Sequence, residues 1–270
     1  MTATLDSTKF GHLDQGATSC PTSGCGATSA VNSFVYLQNA FPDVYTTPLV
    51  PKAGATLTQD DMVKVANDLA QRMGTGPNGT SIENFILGKM DYIESKDKGR
   101  TTYAAQLTLA WDSTTPKPGF VTDKTAPTLS FIARELKDGE DVEAFLAGPS
   151  GRHFITLTGI SYDDQTNMGT LSFIDPLGGK DTTGSITGLD GAGLIHVKYT
   201  IDGELQEFVI GNVVAESVPE LSALGLVAAG SAALAAWRQR RCFGWGSAFH
   251  RALGTRSFSR KRVQRNGVRS

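Results

Sequence analysis

The hydrophobic periodicity of this chain changes once along its length, and the change limits the folds open to it. The first part holds segments with apolar residues three and four positions apart, the spacing of an amphipathic helix. From Glu140 onward, short runs of β-type residues are separated by Gly- and Asp-rich turns, as in antiparallel strands. This order predicts an α+β fold with N-terminal helices packed on an antiparallel sheet.

Capping residues indicate where the helices of the first part begin. An apolar stripe starts directly after Gly26. Thr58 stands before a second helical segment with two aspartates in its first turn, and Thr80 or Ser81 precedes a third. A hydroxyl at the N-cap accepts a hydrogen bond from a free backbone N–H. Acidic residues in the first turn stabilise the helix by interacting with the positive end of its dipole. These positions predict three helix starts.

Charge is distributed unevenly between the two parts of the 270-residue chain. Residues 1–220 contain 15 basic and all 27 acidic residues, whereas residues 221–270 contain 10 basic and no acidic ones. The acidic body excludes nucleic acid as an expected partner. Residues 221–237 carry no charge and precede an Arg cluster, which predicts a C-terminal hydrophobic helix that spans a membrane; a buried core helix is the alternative.

Three cysteines are too few for a disulfide framework. Two of them, Cys20 and Cys25, lie at the start of the first predicted helix. Free N–H groups and the helix dipole stabilise a thiolate there, which makes Cys25 a candidate nucleophile flanked by Gly24 and Gly26. The alternative is that Cys25 is a small buried residue. A metal site is not expected, because further Cys or His ligands are missing nearby.

One histidine and one aspartate could complete a catalytic set with Cys25. His153 opens a β-type run, and Asp175 ends the run that follows. If the two runs pair as a hairpin, an imidazole and an orienting carboxylate come together beside the thiol, as nucleophilic catalysis requires. The sequence offers no such partner for the other histidines: His12, His196 and His250.

These motifs resemble a family. "CGATS" at the start of a helix, with "TLTGI" and "SFIDP" much later, resembles the papain-like cysteine peptidases of the C39 and C39-like type. The resemblance implies a papain-like fold, with Cys25 as nucleophile, His153 as general base and acid, and Asp175 as the residue that orients the imidazole. It also implies that Gln15 helps to stabilise the oxyanion. No cofactor or metal is implied.

The position of Gln15 leaves a second nucleophile open. Gln15 lies ten residues before Cys25, further than the family's pattern, but five before Cys20. We expect Cys25 to be the nucleophile, because the apolar stripe of the helix begins only after it and the Gly pair would break a helix started at Cys20.

The segment "VPELSALGLVAAGSAALAAWRQRR", 218–241, resembles a PEP-CTERM sorting signal, with Leu221 in place of a second proline. The resemblance implies a protein exported by a Gram-negative bacterium and processed by an exosortase. The predicted organisation is a C39-like domain (1–216), the sorting signal (217–241) and a disordered basic tail (242–270). The N-terminus shows no signal peptide, so we expect the true start to lie upstream.

The sequence therefore predicts an exported cysteine hydrolase of the cell envelope or extracellular space, a peptidase that acts on a peptide or protein substrate. Two alternatives stay open. One is a non-catalytic surface or biofilm-associated binding protein on the same fold, and the other is an acyltransferase that uses the same three residues. The catalytic motifs do not indicate whether water or an amine accepts the acyl group.

Overall fold

Six antiparallel strands close into a β-barrel. The computed structural model describes residues 1–201 and 203–218. Each barrel strand pairs with the next along the chain, and the first, β4, also pairs with the last, β9, which closes the ring. The barrel strands are β4 (Asp141–Gly148), β5 (Gly151–Tyr162), β6 (Gly169–Asp175), β7 (Lys180–Leu189), β8 (Ile195–Ile201) and β9 (Glu204–Ser217).

Irregular register allows the strands to bend around the barrel. Register shifts interrupt three ladders: β4 with β9 at Phe145/Leu146, β5 with β6 between Leu157 and Gly159, and β7 with β8 between Ile186 and Gly188. Such bulges bend a strand and increase its twist, which a closed barrel needs.

Three shorter strands extend the barrel sheet. β1 (Thr2–Thr4) pairs with β5, β2 (Thr102–Leu107) pairs with β9, and β3 (Val121–Thr122) runs parallel to β2. The strands β5 and β9 are long enough to pair both within the barrel and with these additions.

Within the described residues, four α-helices accompany the barrel: α1 (Cys25–Ala40), α2 (Gln59–Arg72), α3 (Ile82–Lys96) and α4 (Leu129–Lys137). The predicted helix starts are confirmed. Thr58 caps α2 in a reciprocal capping box with Asp61, and the Ser81 hydroxyl accepts from the Asn84 N–H at the start of α3.

Two apolar clusters form the core of the described residues. One is made by side chains of the barrel strands together with α4, and includes Leu146, Leu157, Phe173, Tyr199 and Phe208. The second lies between α1, α2, α3 and the outer face of the barrel. It takes alternate residues of the same strands: Phe154 belongs to this outer cluster and its neighbour Ile155 to the inner one, as the two-residue period of a strand requires.

The helix α1 is buried around its whole circumference from Gly26 to Leu37. It packs on β5 and β4 on one side and on α2 on the other. The Thr156 hydroxyl of β5 donates to the Ser29 carbonyl of α1 at 3.0 Å, which ties the helix to the barrel. The N-terminus of α1 is thereby fixed against the strands that follow it in the chain.

The predicted fold class is wrong. The described part of the chain is a closed, mostly β barrel with a few helices, and not a papain-like α+β fold with helices on an antiparallel sheet. The alternating pattern indicated five of the six barrel strands and missed β7, which is rich in Thr and Gly. It did not reveal that β4 returns to pair with β9, because closure depends on long-range pairing that leaves no periodic trace in a single strand.

The described residues give the transmembrane prediction no support, since none of their helices is long and apolar enough to cross a membrane. The predicted span at 221–237 and the basic tail 242–270 lie outside the described residues. Residues Met1–Pro219 form one compact unit.

The barrel interior can be tested with a matched pair of leucines. Leu146 of β4 is fully buried, whereas Leu205 of β9 is 70% exposed. We expect Leu146→Ala to lower the free energy of unfolding by about 2–5 kcal/mol, because it leaves a cavity. Leu205→Ala should change it by no more than about 0.5 kcal/mol. Urea denaturation measures both, and equal losses would contradict the assigned interior.

Candidate active site

Cys25 is the first residue of α1, where the backbone N–H groups of the helix lack partners within the helix. No side chain caps this terminus, and Gly24 occupies the N-cap position. A Cβ on Gly24 would lie 2.7 Å from the Cys20 carbonyl oxygen, so only glycine permits the tight turn that precedes the helix. The partly exposed thiol therefore stands at the positive end of a well-anchored helix dipole.

His153 and Asp175 lie on the adjacent strands β5 and β6 and are hydrogen-bonded. The His153 Nε2 and the Asp175 Oδ1 are 2.7 Å apart, and both side chains are buried. Asp175 Oδ1 also accepts from the backbone N–H of Leu177 at 2.8 Å. The carboxylate is thus held by the turn after β6 and fixes the orientation of the imidazole. The second ring nitrogen of His153 is then free to serve Cys25.

The thiol of Cys25 interacts with His153 and with the backbone. Burial alone would raise the pKa of the Cys25 thiol, but the hydrogen bond and charge of His153 lower it. The backbone N–H groups of Phe154 and Gly26 contribute in the same direction, and the pKa lies below its ordinary value. A lowered pKa increases the fraction of thiolate, which is the nucleophilic form.

The pKa of the His153 imidazole shifts in the opposite direction. Burial alone would lower the pKa of His153, but hydrogen bonds to Asp175 and Cys25, together with their negative charges, raise this pKa to about 9. The two shifts together favour a thiolate beside an imidazolium. This is the resting state of an activated cysteine nucleophile that has a proton ready for a leaving group.

Gln15 lies close to the end of β6. Its backbone N–H donates to the Pro176 carbonyl at 2.9 Å, and its side-chain amide nitrogen donates to the Pro21 carbonyl at 3.0 Å. Its Oε1 is buried without a hydrogen-bond partner. Gln15 is thus fixed between the residue after Asp175 and the loop before Cys25, and its role at the oxyanion stays a prediction.

Cys20 occupies a turn rather than the helix. Its carbonyl accepts from the Ser23 N–H at 3.1 Å, and its own N–H is 3.3 Å from the Thr18 hydroxyl. His153 interacts with Cys25. The geometry thus favours Cys25 over Cys20 as the nucleophile.

A cleft of about 440 Å³ opens between the N-terminus of α3 and the barrel. Ile82, Phe145 and Val209 contribute apolar walls, and Arg152 and Asn212 contribute polar groups. The Phe145 ring touches the Phe154 ring with centroids 4.8 Å apart. Phe145 therefore connects the wall of the cleft to Phe154, the residue that follows His153 in the chain.

Sequence reasoning missed the contributions of Phe154 and Arg152. Phe154 acts on the thiol through its backbone, so its residue type carries no signal. Arg152 stands directly before His153 in the sequence, and that position was the available clue. The sequence alone indicated neither the position of α3 relative to the barrel nor the cleft between them.

A comparison with known protein families and with characterised proteins finds no match to this chain. The resemblance to C39-like peptidases and to PEP-CTERM signals, and the exosortase and location that it implies, therefore stay predictions.

The ionisation of the Cys25–His153 pair can be measured by alkylation. In a Cys20→Ser/Cys242→Ser background, iodoacetamide should label Cys25 at pH 6 about tenfold or more faster than it labels glutathione, since ordinary thiols are protonated there. His153→Asn should remove this advantage because the positive partner is lost. A rate at or below that of glutathione in the unmodified site would contradict the lowered pKa.

Proposed function

We propose that the protein is a cysteine hydrolase that cleaves amide bonds through an acyl-enzyme, with peptides as the substrate class. The observation that carries this proposal is the combination of Cys25 at a helix N-terminus with a His153 imidazole held by Asp175 at 2.7 Å. A purely structural cysteine needs neither the histidine nor the buried carboxylate behind it.

The first half of the reaction uses the charges of the resting pair. The Cys25 thiolate attacks the substrate carbonyl carbon, and the carbonyl oxygen acquires negative charge. Free N–H groups at the start of α1 support that oxygen. The His153 imidazolium then donates its proton to the departing amine, which leaves a thioester on Cys25.

The second half of the reaction reverses the role of His153. The neutral imidazole takes a proton from water, and the resulting hydroxide attacks the thioester carbonyl. The carboxylic acid product leaves as the Cys25 thiolate re-forms, and the imidazole is again protonated. Asp175 stabilises the imidazolium that each half-reaction requires.

The cleft beside α3 supports an extended substrate. Its apolar walls suit a side chain next to the scissile bond, and Arg152 and Asn212 offer donors to backbone carbonyls. Apolar walls with a few polar groups are typical of sites that bind a peptide in one orientation. The acyltransferase alternative requires an amine site, and none of the observed groups favours it.

The nucleophile assignment predicts different outcomes for the two cysteines. Cys25→Ala should reduce hydrolysis of a fluorogenic peptide mixture by several orders of magnitude, about 10³-fold or more, because no acyl-enzyme can form. Cys20→Ala should retain activity. Circular dichroism of both variants provides the control for folding.

Equal loss in both cysteine variants would instead indicate a shared structural role. No hydrolysis by the wild-type chain at any pH would favour a non-catalytic binding protein. In either case the proposal would fail.

The activity should rise and then fall as the pH increases, so that its pH profile has an acid limb and an alkaline limb. It should rise as Cys25 ionises at its lowered pKa and fall near pH 9, where His153 loses its proton. Asp175→Asn should lower kcat/KM by up to about 10⁴-fold, as for other orienting carboxylates. It should also move the alkaline limb to lower pH, since Asp175 helps to raise the pKa of His153. An unmoved limb would contradict this role.

A further inference from the structure

A lysine is fully buried among three carboxylates, far from the catalytic residues in sequence. Lys89 of α3 lies with its Nζ 3.1 Å from Asp141 Oδ2 and 2.5 Å from Glu143 Oε1, and it also contacts Glu216 Oε2. All four side chains are at most 2% exposed. The three carboxylates use all three donors of the ammonium.

The charges of this cluster do not balance if every group is ionised. One ammonium faces three carboxylates, which leaves two uncompensated negative charges in the core. A buried charge without a partner is strongly unfavourable, so such a group binds a proton instead. Burial raises the pKa of Glu143 to about 7; Lys89 opposes this shift and Asp141 adds to it. Burial also raises the pKa of Glu216 well above its ordinary value.

Two carboxylate oxygens of the cluster have no hydrogen-bond partner among the described residues. They are Asp141 Oδ1 and Glu143 Oε2, and both are buried. The two residues are two positions apart on β4 and therefore face the same side of the sheet. Asp141 Oδ2 is already occupied by Lys89 and by the Ser33 hydroxyl of α1. The cluster therefore carries more acceptor oxygens than donors, which favours a bound proton.

The other titratable groups around the cluster are phenols. Tyr36 of α1 and Tyr45 face Asp141, and Tyr103 of β2 faces Glu216. Burial, with the nearby carboxylates, raises the pKa of each phenol, so all three stay neutral across the physiological range. They add no compensating charge, and Lys89 is the cation at the centre of the cluster.

We propose that the three carboxylates around Lys89 share one proton at neutral pH, and that this proton makes the cluster a pH-dependent latch between the helices α1 and α3 and the strands β4 and β9. With the proton bound, one of the uncompensated negative charges is removed from the cluster. When it is lost, that charge returns to the buried cluster and the helices are held less tightly.

The cluster joins helices and strands that also form the candidate active site and the cleft. α1 carries Cys25 two turns before Ser33, α3 begins at the cleft, and β4 and β9 supply Phe145 and Asn212 to it. Loss of the shared proton therefore weakens the framework of the site as well as the core. The latch does not depend on the hydrolase assignment, because its test measures folding alone.

The test compares the pH dependence of unfolding in matched variants of the full chain. Urea denaturation between pH 5 and pH 8 is measured for the wild type, Glu143→Gln and Asp141→Asn. An amide NH₂ provides permanently the donor that the shared proton provides. Glu204→Gln, at an exposed glutamate of β9, is the control for removal of a surface charge.

The raised pKa of Glu143 determines whether stability increases or decreases with pH. Glu143 binds its proton more tightly in the folded chain, so its stabilising effect is complete below its unfolded pKa of about 4.5 and is lost as the pH approaches 7. This proton alone increases the unfolding constant about tenfold per pH unit in that window. The unfolding constant of Glu143→Gln should lack this part of the pH dependence, and the variant should be more stable than the wild type at pH 8. Glu204→Gln should keep the wild-type slope.

Two results would overturn the latch. One is a Glu143→Gln chain that folds but keeps the wild-type slope, or is destabilised equally at every pH. The other is failure of both Glu143→Gln and Asp141→Asn to fold, because an amide that cannot replace the protonated acid excludes a shared proton.

Discussion

The pairing of β4 with both β5 and β9 is the contact on which the rest of the structure depends. It closes the six strands into a barrel, and closure gives every barrel strand an inner and an outer face. The inner face builds its own core with α4, while the outer face receives α1, α2 and α3. Without a closed, rigid outer face, the N-terminus of α1 would have no fixed position relative to β5.

The candidate site follows from that arrangement. β5 and β6 carry His153 and Asp175 as neighbours, and α1, docked on β5, brings Cys25 to the imidazole. Each group changes the pKa of the next: Asp175 favours the imidazolium, and the imidazolium favours the thiolate. The stability of the barrel and the chemistry of the thiol are therefore linked through one helix, and the Lys89 cluster contacts that helix through the Ser33 hydroxyl.

Parts of this could be predicted from the sequence because they depend on local physics. The N-cap at Thr58, the helix that starts at Cys25 and the strands that carry His153 and Asp175 all left short-range signals of capping or alternation. The barrel could not be predicted in this way, and the papain-like α+β assignment was wrong. Lys89 did leave a signal, a lysine within the apolar run "FILGKM", but its three carboxylate partners lie 52 to 127 residues away.

The sequence by itself determined which residues could take part in nucleophilic chemistry: a thiol at a helix start, and a histidine and an aspartate on successive strands. Residue type and local period decide such properties, since they depend on neighbours within a few positions. Only the tertiary structure decided that His153 and the Phe154 backbone lower the pKa of Cys25, and that the strands close into a barrel. Those outcomes depend on the docking of α1 on β5 and on the pairing of β4 with β9, between segments that are distant in the chain.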